Sequence, residues 1–195
     1  MNDKMSVIYI QQTGHVVGAI TCNSDPKRSL APADIASPAF LFTQSPDATT
    51  TVVDTEFSIP PSVLAVSPPI DYNDALFKSP ATYAISGTVA EQLTVKLTGS
   101  LIPKLTSTAL EFTLLTAAAA DISIWAQVQE SKPVTLPPDT RVLSGVLPKG
   151  TTGTIDIPLT ILPGGAAASI VAGLLYSLVV CVGGYLPDFE SQTPS

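Results

Sequence analysis

The stretch IPLTILPGGAAASIVAGLLYSLVVCVGGYL, from Ile157 to Leu186, contains no charged residue; the charges that bound it are Asp156 and Asp188. Its reading decides the fold. A membrane helix needs ~20 apolar residues at a rise of ~1.5 Å each, and Ala166–Leu186 is long enough. Yet its Leu, Ile and Val residues are diluted by Gly, Ala and Ser, which add little to insertion. No Lys or Arg flanks it, Lys149 being the nearest, and the far flank carries Asp188 and Glu190. The other reading divides the stretch at the turn Pro163-Gly164-Gly165. Residues 156–162 are then a strand and Ala166–Leu175 a short buried helix or crossover. Tyr176–Tyr185 is a final apolar strand, stopped by Leu186-Pro187. The divided reading is preferred. It predicts Tyr176–Tyr185 as a buried strand near the middle of a sheet, with Cys181 closed to thiol reagents.

Outward from this stretch the dominant pattern has period two. Val95 and Leu97 alternate with Thr94, Lys96 and Thr98. Leu110, Phe112 and Leu114 alternate with Glu111 and Thr113. Ile122, Ile124, Ala126 and Val128 alternate with Ser123, Trp125, Gln127 and Gln129, and Ile155, Ile157, Leu159 and Ile161 with Thr154, Asp156, Pro158 and Thr160. Such alternation describes strands buried on one face and wet on the other. Turn signals separate them at Thr98-Gly99-Ser100, Leu136-Pro137-Pro138-Asp139 and Pro148-Lys149-Gly150. Pro158 has no N–H for a ladder, which places its strand at an edge or a bulge.

The N-terminal half reads more loosely. Ser6–Ile10 and His15–Cys22 flank Gln11-Gln12-Thr13-Gly14 as a hairpin. Asp25-Pro26-Lys27-Arg28 is a turn, and Ala31–Ala36 suits one helical turn with Pro32 at its start. Phe40–Gln44 and Thr49–Ile59 are strand candidates. Pro60-Pro61, Pro68-Pro69 and Pro80 mark residues 60–82 as a long ordered connection, with a helical turn over Tyr72–Phe77. The expected fold class is mainly β: a single-domain, jelly-roll-like β-sandwich over residues 1–187 with one or two short helices. Residues 188–195 are expected to be a flexible C-terminal tail.

Composition narrows the function. The 195 residues are 45% hydrophobic and 13% charged, which suits one packed domain rather than a disordered chain. A net charge of −7, with nine basic residues and only Lys27–Arg28 adjacent, offers no stripe to neutralise phosphates, so nucleic acid is not an expected partner. Two cysteines, Cys22 and Cys181, are too few for a secreted disulfide framework. They could bridge the first and last strands, but two buried free thiols are the preferred reading. The apolar run in the opening is too short for a signal peptide, so the expected localisation is cytoplasmic, and contact with a membrane is not expected.

Candidate chemistry is sparse. His15 is the only histidine, which excludes any site needing two histidine ligands. No G-x-S-x-G elbow occurs. His15 reads as a turn or strand residue with local hydrogen bonds. Asp71 and Asp74 bracket Tyr72-Asn73, but the spacing lacks the glycine and further oxygens of a calcium loop. The glycines at Gly150–Gly153 and Gly164-Gly165 have neither a Walker ending nor a strand–GxGxxG–helix setting, and read as turns. No catalytic, cofactor or metal residue is assigned. Trp125 is the one interaction candidate. It falls on the polar side of its strand, where a tryptophan is covered by a loop, contacts another subunit, or stacks on a sugar. Cover or subunit contact is preferred.

The opening Val7-Ile8-Tyr9-Ile10-Gln11-Gln12-Thr13-Gly14-His15-Val16, with Asp25-Pro26 after it, resembles small accessory proteins of phage-tail-like contractile injection systems. The likeness covers residues 1–30, and the closing YSLVVCVGGYLP is similar in character. It brings no catalytic motif. It implies a structural or assembly role in a large particle. An apolar sandwich with little charge also has edges and surface for other subunits to cover. The expected function is therefore a non-enzymatic structural or accessory subunit of a multiprotein assembly, homo- or hetero-oligomeric. The alternatives are a carbohydrate-binding module centred on Trp125 and a C-terminally anchored membrane protein.

Overall fold

Residues Tyr176–Val182 form a strand in which all seven side chains are buried. Successive side chains of a strand point to opposite faces, so this one requires a packed layer on each side. The fold supplies both. The computed structural model describes residues 4–22, 39–44, 53–131, 140–161 and 164–195. In chain order the strands are β1 Lys4–Ile10, β2 Val16–Cys22, β3 Ala39–Gln44, β4 Val53–Ser58, β5 Leu64–Val66, β6 Ile70–Asp71, β7 Tyr83–Ser86 and β8 Val89–Gln92. They continue with β9 Lys104–Leu105, β10 Ala109–Leu114, β11 Ile122–Glu130, β12 Thr140–Leu147, β13 Gly153–Pro158, β14 Tyr176–Val182 and β15 Asp188–Gln192. A short helix, α1, spans Asp74–Lys78.

The central sheet has the order β12-β11-β14-β15, antiparallel throughout. On one face Ile124, Ala126 and Val128 of β11 and Leu178, Val180 and Val182 of β14 pack with Leu110, Phe112 and Ile157 of the sheet β13-β10-β9. On the other face Trp125, Val179 and Cys181 pack with Ile8 and Ile10 of β1, Leu64 of β5, and Phe57 of β4. β1 is itself covered twice. Its Met5 and Val7 point away from the central sheet and meet Leu76 of α1 with Tyr83 and Ile85 of β7. The molecule is thus a stack: an outer sheet, the central sheet, the β1 sheet, and a cap made of α1 and the β7–β8 pair. Each Val or Leu buried this way contributes about 1.5–3 kcal/mol, which favours placing the most apolar strands in the inner layers.

The proline-rich connection is more than a linker. β1 pairs with β2 on one edge, and β5 and β6 share its other edge. Pro68-Pro69 interrupts that edge, because proline cannot donate to a ladder. Ser67 bridges the gap. Its N–H donates to Val7 O at 2.8 Å, and its hydroxyl accepts from Val7 N at 3.0 Å. The helical turn expected over Tyr72–Phe77 is α1, capped by Asn73 Oδ1, which accepts from Leu76 N at 3.1 Å.

The mainly-β, sandwich-like fold is as expected, and β14 lies between β11 and β15, inside the sheet. Pro158 ends β13, an edge strand. Several expectations are corrected. Ala166–Leu175 is neither a helix nor buried; it is an irregular, mostly exposed loop, whose Gly and Ala content gives no amphipathic face to dock. Residues 188–195 are not a flexible tail. Asp188–Gln192 is β15, Pro194 is buried, and Ser195 N donates to Leu105 O. Residues 94–98 lie outside any ladder, and the strand in that region is β8. β12 forms a strand although its run, Arg141-Val142-Leu143-Ser144-Gly145-Val146-Leu147, does not alternate. Among the described residues no helix is long and apolar enough to cross a membrane, and residues 166–186 are a loop followed by β14 and its turn. The turn at Asp25–Arg28, the helical turn at Ala31–Ala36 and the turn at Leu136–Asp139 lie outside the described residues.

Candidate functional site

The chemistry-bearing residues do not converge. His15 is fully buried at the start of β2, with both ring nitrogens engaged. A carbonyl can only accept, so the contact of 2.7 Å to Tyr185 O makes Nε2 the protonated nitrogen. Nδ1 then accepts from the Thr13 hydroxyl at 2.9 Å. Burial holds the imidazole below its ordinary pKa, the two hydrogen bonds opposing that shift. His15 is a tie between the β1–β2 turn and the turn that follows β14.

Asp71 and Asp74 serve separate ion pairs. Asp71 meets Lys4 Nζ at 2.6 Å across the β1–β6 edge. Asp74 meets Lys78 at 2.7 Å one helical turn on, and the Lys78 hydrogen bond holds its carboxyl below the usual carboxylate range. Both pairs are exposed, so each is worth little in stability. Among the described residues no three His, Cys, Asp or Glu side chains gather as a metal site. Gly150 lies in the turn between β12 and β13, Gly153 opens β13, and Gly164 lies in the connection from β13 to β14. None opens a helix. Cys181 is a free thiol, fully buried in the apolar layer between the central and β1 sheets, and desolvation pushes its pKa far up.

Trp125 is covered from within the chain, by a sheet rather than by a loop. It does point to the same side of β11 as Gln127, but that side is not wet. The β1 sheet covers it, leaving the tryptophan 1% exposed. Nothing in the alternation of β11 reports a second covering layer; the uniformly apolar β14 beside it does. The burial is incomplete in one chemical sense. Trp125 Nε1 and Gln127 Oε1 are both buried without a hydrogen-bond partner, the kind of exception that marks either a cost or a site. Trp125 also lines a recess of about 180 Å³ with Gln11, Gln12, Ser62, Val63 and Ser144. Ser144 stands directly opposite Trp125 in the β11–β12 ladder, and Gln12 Nε2 donates to Gly145 O at 3.3 Å beside it.

A second recess, of about 370 Å³, lies between the segment before β9 and the start of β15. Leu97, Leu186, Pro187 and Phe189 make it largely apolar, with Lys96 and Asp188 also in its lining.

The most unusual surface comes from the stretch that decides the fold. Ile161 is 62% exposed, Val171 61%, Leu174 41% and Leu175 47%. They belong to one charge-free segment whose path is fixed at several points. Ala168 N donates to Leu159 O and Ile170 N to Ser107 O, each at 2.8 Å. Val171 N donates to the Tyr176 hydroxyl at 3.1 Å. The Arg141 guanidinium donates to Ser169 O through Nε and Nη2, at 3.3 and 3.1 Å. Ile170 alone is buried, as the loop's anchor in the core. Single exposed aliphatics are ordinary; four on one charge-free segment that the fold holds in place are the candidate for an interaction surface. The sequence signal was present in the absence of charge from Ile157 to Leu186, which does not distinguish a core from a covered surface. No family model, no curated protein and no solved structure matches the chain.

Proposed function

We propose that this chain is a non-enzymatic structural or accessory subunit of a multiprotein assembly, seated in it through the loop 164–175. The observation that carries this reading is the exposed aliphatic group Ile161, Val171, Leu174 and Leu175 on a segment pinned by Arg141, Ser107 and Tyr176. Leaving several large aliphatics in water forgoes about 1.5–3 kcal/mol for each that a partner could bury. A loop already held in place loses less entropy on docking than a mobile one. The partner surface is another protein subunit, either a second copy or a different chain. The resemblance of Val7–Val16 to accessory proteins of phage-tail-like contractile injection systems supports a particle of that type as the assembly.

Light scattering after size exclusion, together with a pull-down from cells expressing the neighbouring components, tests the reading. The expected result is an oligomer or a captured particle component, lost in the double variant Val171→Glu/Leu174→Glu. A persistently monomeric protein that captures no component would sink it.

A further inference from the structure

We propose that His15 is an acid-operated latch: protonation of its ring parts the β1–β2 turn from the turn that follows β14, with the sheets still folded. Among the described residues, the bond from His15 Nε2 to Tyr185 O at 2.7 Å is the sole hydrogen bond between residues 11–15 and residues 183–187. Each side is otherwise tied to different neighbours. On the hairpin side, Gln11 N donates to Val63 O at 2.9 Å and Gly14 O accepts from Ile85 N at 2.8 Å. On the other side, Gly183 N donates to Ser123 O at 2.9 Å and Leu186 N to Val95 O at 2.7 Å. The ring is fully buried, but Thr13 and Tyr185, which hold it, are only partly so, and Gly184 is exposed. Water thus stands close to the ring. The β11–β14 ladder ends at Val182, before the turn, and does not depend on the latch.

The closed site is built for a neutral ring. Nε2 donates, and Nδ1 accepts from the Thr13 hydroxyl at 2.9 Å. A second proton goes to Nδ1 and forces that hydroxyl to turn from donor to acceptor. The cation is then enclosed with no counter-charge, which is costly. On the elements around it, the hairpin carries Tyr9, β7 carries Tyr83 and β8 carries Glu91. The chain on either side of the Leu186–Val95 contact carries Lys96, Tyr185 and Asp188. Lys4, at the far end of the hairpin, is paired with Asp71. No charged side chain acts on the ring; burial outweighs its two hydrogen bonds and favours the neutral form. Parting the turns lets water solvate the cation. An opening that takes up one proton gains at most about tenfold in population per pH unit below about 6.5. Leu186 and Pro187 of the released turn wall the recess of about 370 Å³ together with Leu97 and Phe189, so the latch also governs its shape.

Amide exchange of the full chain, followed by NMR from about pH 7.5 to about pH 5 and expressed as protection factors, tests the latch. Ile85 N and Leu186 N report on the two turns, and the β11 amides on the central sheet. Both reporters should lose protection below about pH 6.5, by up to about tenfold per pH unit, while the β11 amides keep theirs. His15 is the only histidine, so its ring resonances titrate without overlap, and their midpoint should coincide with that loss. In His15→Gln, whose amide keeps a donor for Tyr185 O, the protection of both reporters should not depend on pH. His15→Asn serves if that variant misfolds by circular dichroism. Protection that holds to about pH 5, or that is lost together with that of β11, overturns the proposal. So does an equal loss in the variant, or a midpoint that differs from that of the ring.

Discussion

His15 Nε2 donates to Tyr185 O at 2.7 Å, joining residues 170 positions apart in the chain. The bond fastens the turn of the first hairpin to the turn between β14 and β15, and it holds one tautomer of a buried imidazole. Burial lowers the folded-state pKa beneath its ordinary value of about 6.5. Unfolding therefore takes up a proton below about pH 6.5. Stability from this group is full above that pH and is lost progressively as pH falls toward the folded-state value. Glu190, half-buried with a raised pKa, has the opposite sign at more acid pH. Comparing wild type with His15→Gln removes its contribution. Urea midpoints should fall more steeply below about pH 6.5 in the wild type than in the variant. Parallel curves would refute the role given to His15.

Gly14 sits beside that histidine with φ at +77°, and a Cβ there would collide with the backbone carbonyl of Ile85. The close approach has a use: Ile85 N donates to Gly14 O at 2.8 Å, docking β7 on the hairpin turn. Gly87 also has positive φ, at +63°, but opens onto space. Gly87→Ala should then cost only the left-handed penalty of about 1–2 kcal/mol. Gly14→Ala adds the clash and should cost about 2–4 kcal/mol in denaturant unfolding. Equal costs would mean that the β7 contact is not tight.

Cys181 lies on the buried face of β14, opposite Trp125 in the ladder. The thiolate is the reactive form, and desolvation suppresses it as well as access. In a Cys22→Ser background, Cys181 should be silent to a thiol reagent in the native protein and react fully in denaturant. Its slow native reaction should follow the unfolding rate rather than reagent concentration. Rapid modification in buffer would show that the layer between the central and β1 sheets is open.

How much of this was legible beforehand depends on which layer a residue serves. β10, β11 and β13 announce themselves, because Leu110, Ile124 and Ile157 alternate with polar neighbours. β14 announces itself by having no alternation, which is the pattern of a strand buried on both faces. Alternation puts Trp125 on the side of Ser123 and Gln127 and calls for a cover there, but that the cover is a second sheet is a long-range event without a local signal. β5 and β6 are three and two residues long and flank Pro68-Pro69; their pairing with β1 is a long-range event without a local signal. β15 is short and polar apart from Phe189, and its Gln192 is tied to Leu105 N and Pro103 O, contacts that exist only after folding. The recess over Trp125 likewise joins segments from three distant parts of the chain.

Trp125 itself tests the inner layer. Truncation to alanine removes one of the largest buried side chains from between two sheets and should cost about 3–5 kcal/mol. Trp125→Phe keeps most of the packing and removes the partnerless indole N–H, so it should cost clearly less, about 1–2 kcal/mol. Chemical denaturation of the two variants gives the comparison. Similar losses would mean that the exact fit of the indole ring, which phenylalanine does not reproduce, matters more than the volume it fills.

Arg141 is the last residue whose role can be separated from packing. It sits on the outer strand β12 and reaches Ser169 O with two guanidinium nitrogens, while its own strand neighbour Thr140 O takes a third bond at 3.1 Å. A hydrogen bond from a charged donor is worth about 1.5–3 kcal/mol when buried, and exposure here reduces that to about 1 kcal/mol. Arg141→Ala should leave global stability nearly unchanged, since β12 keeps its ladder to β11. It should raise the population of locally open loop about fivefold. Limited chymotryptic cleavage at Leu174 and Leu175, exposed in the native protein, should accelerate by that factor under conditions in which reclosing outpaces cleavage. If cleavage is unchanged, the bonds to Ile170, Ala168 and Val171 suffice to hold the loop. Arg141 would then be dispensable for holding the loop closed.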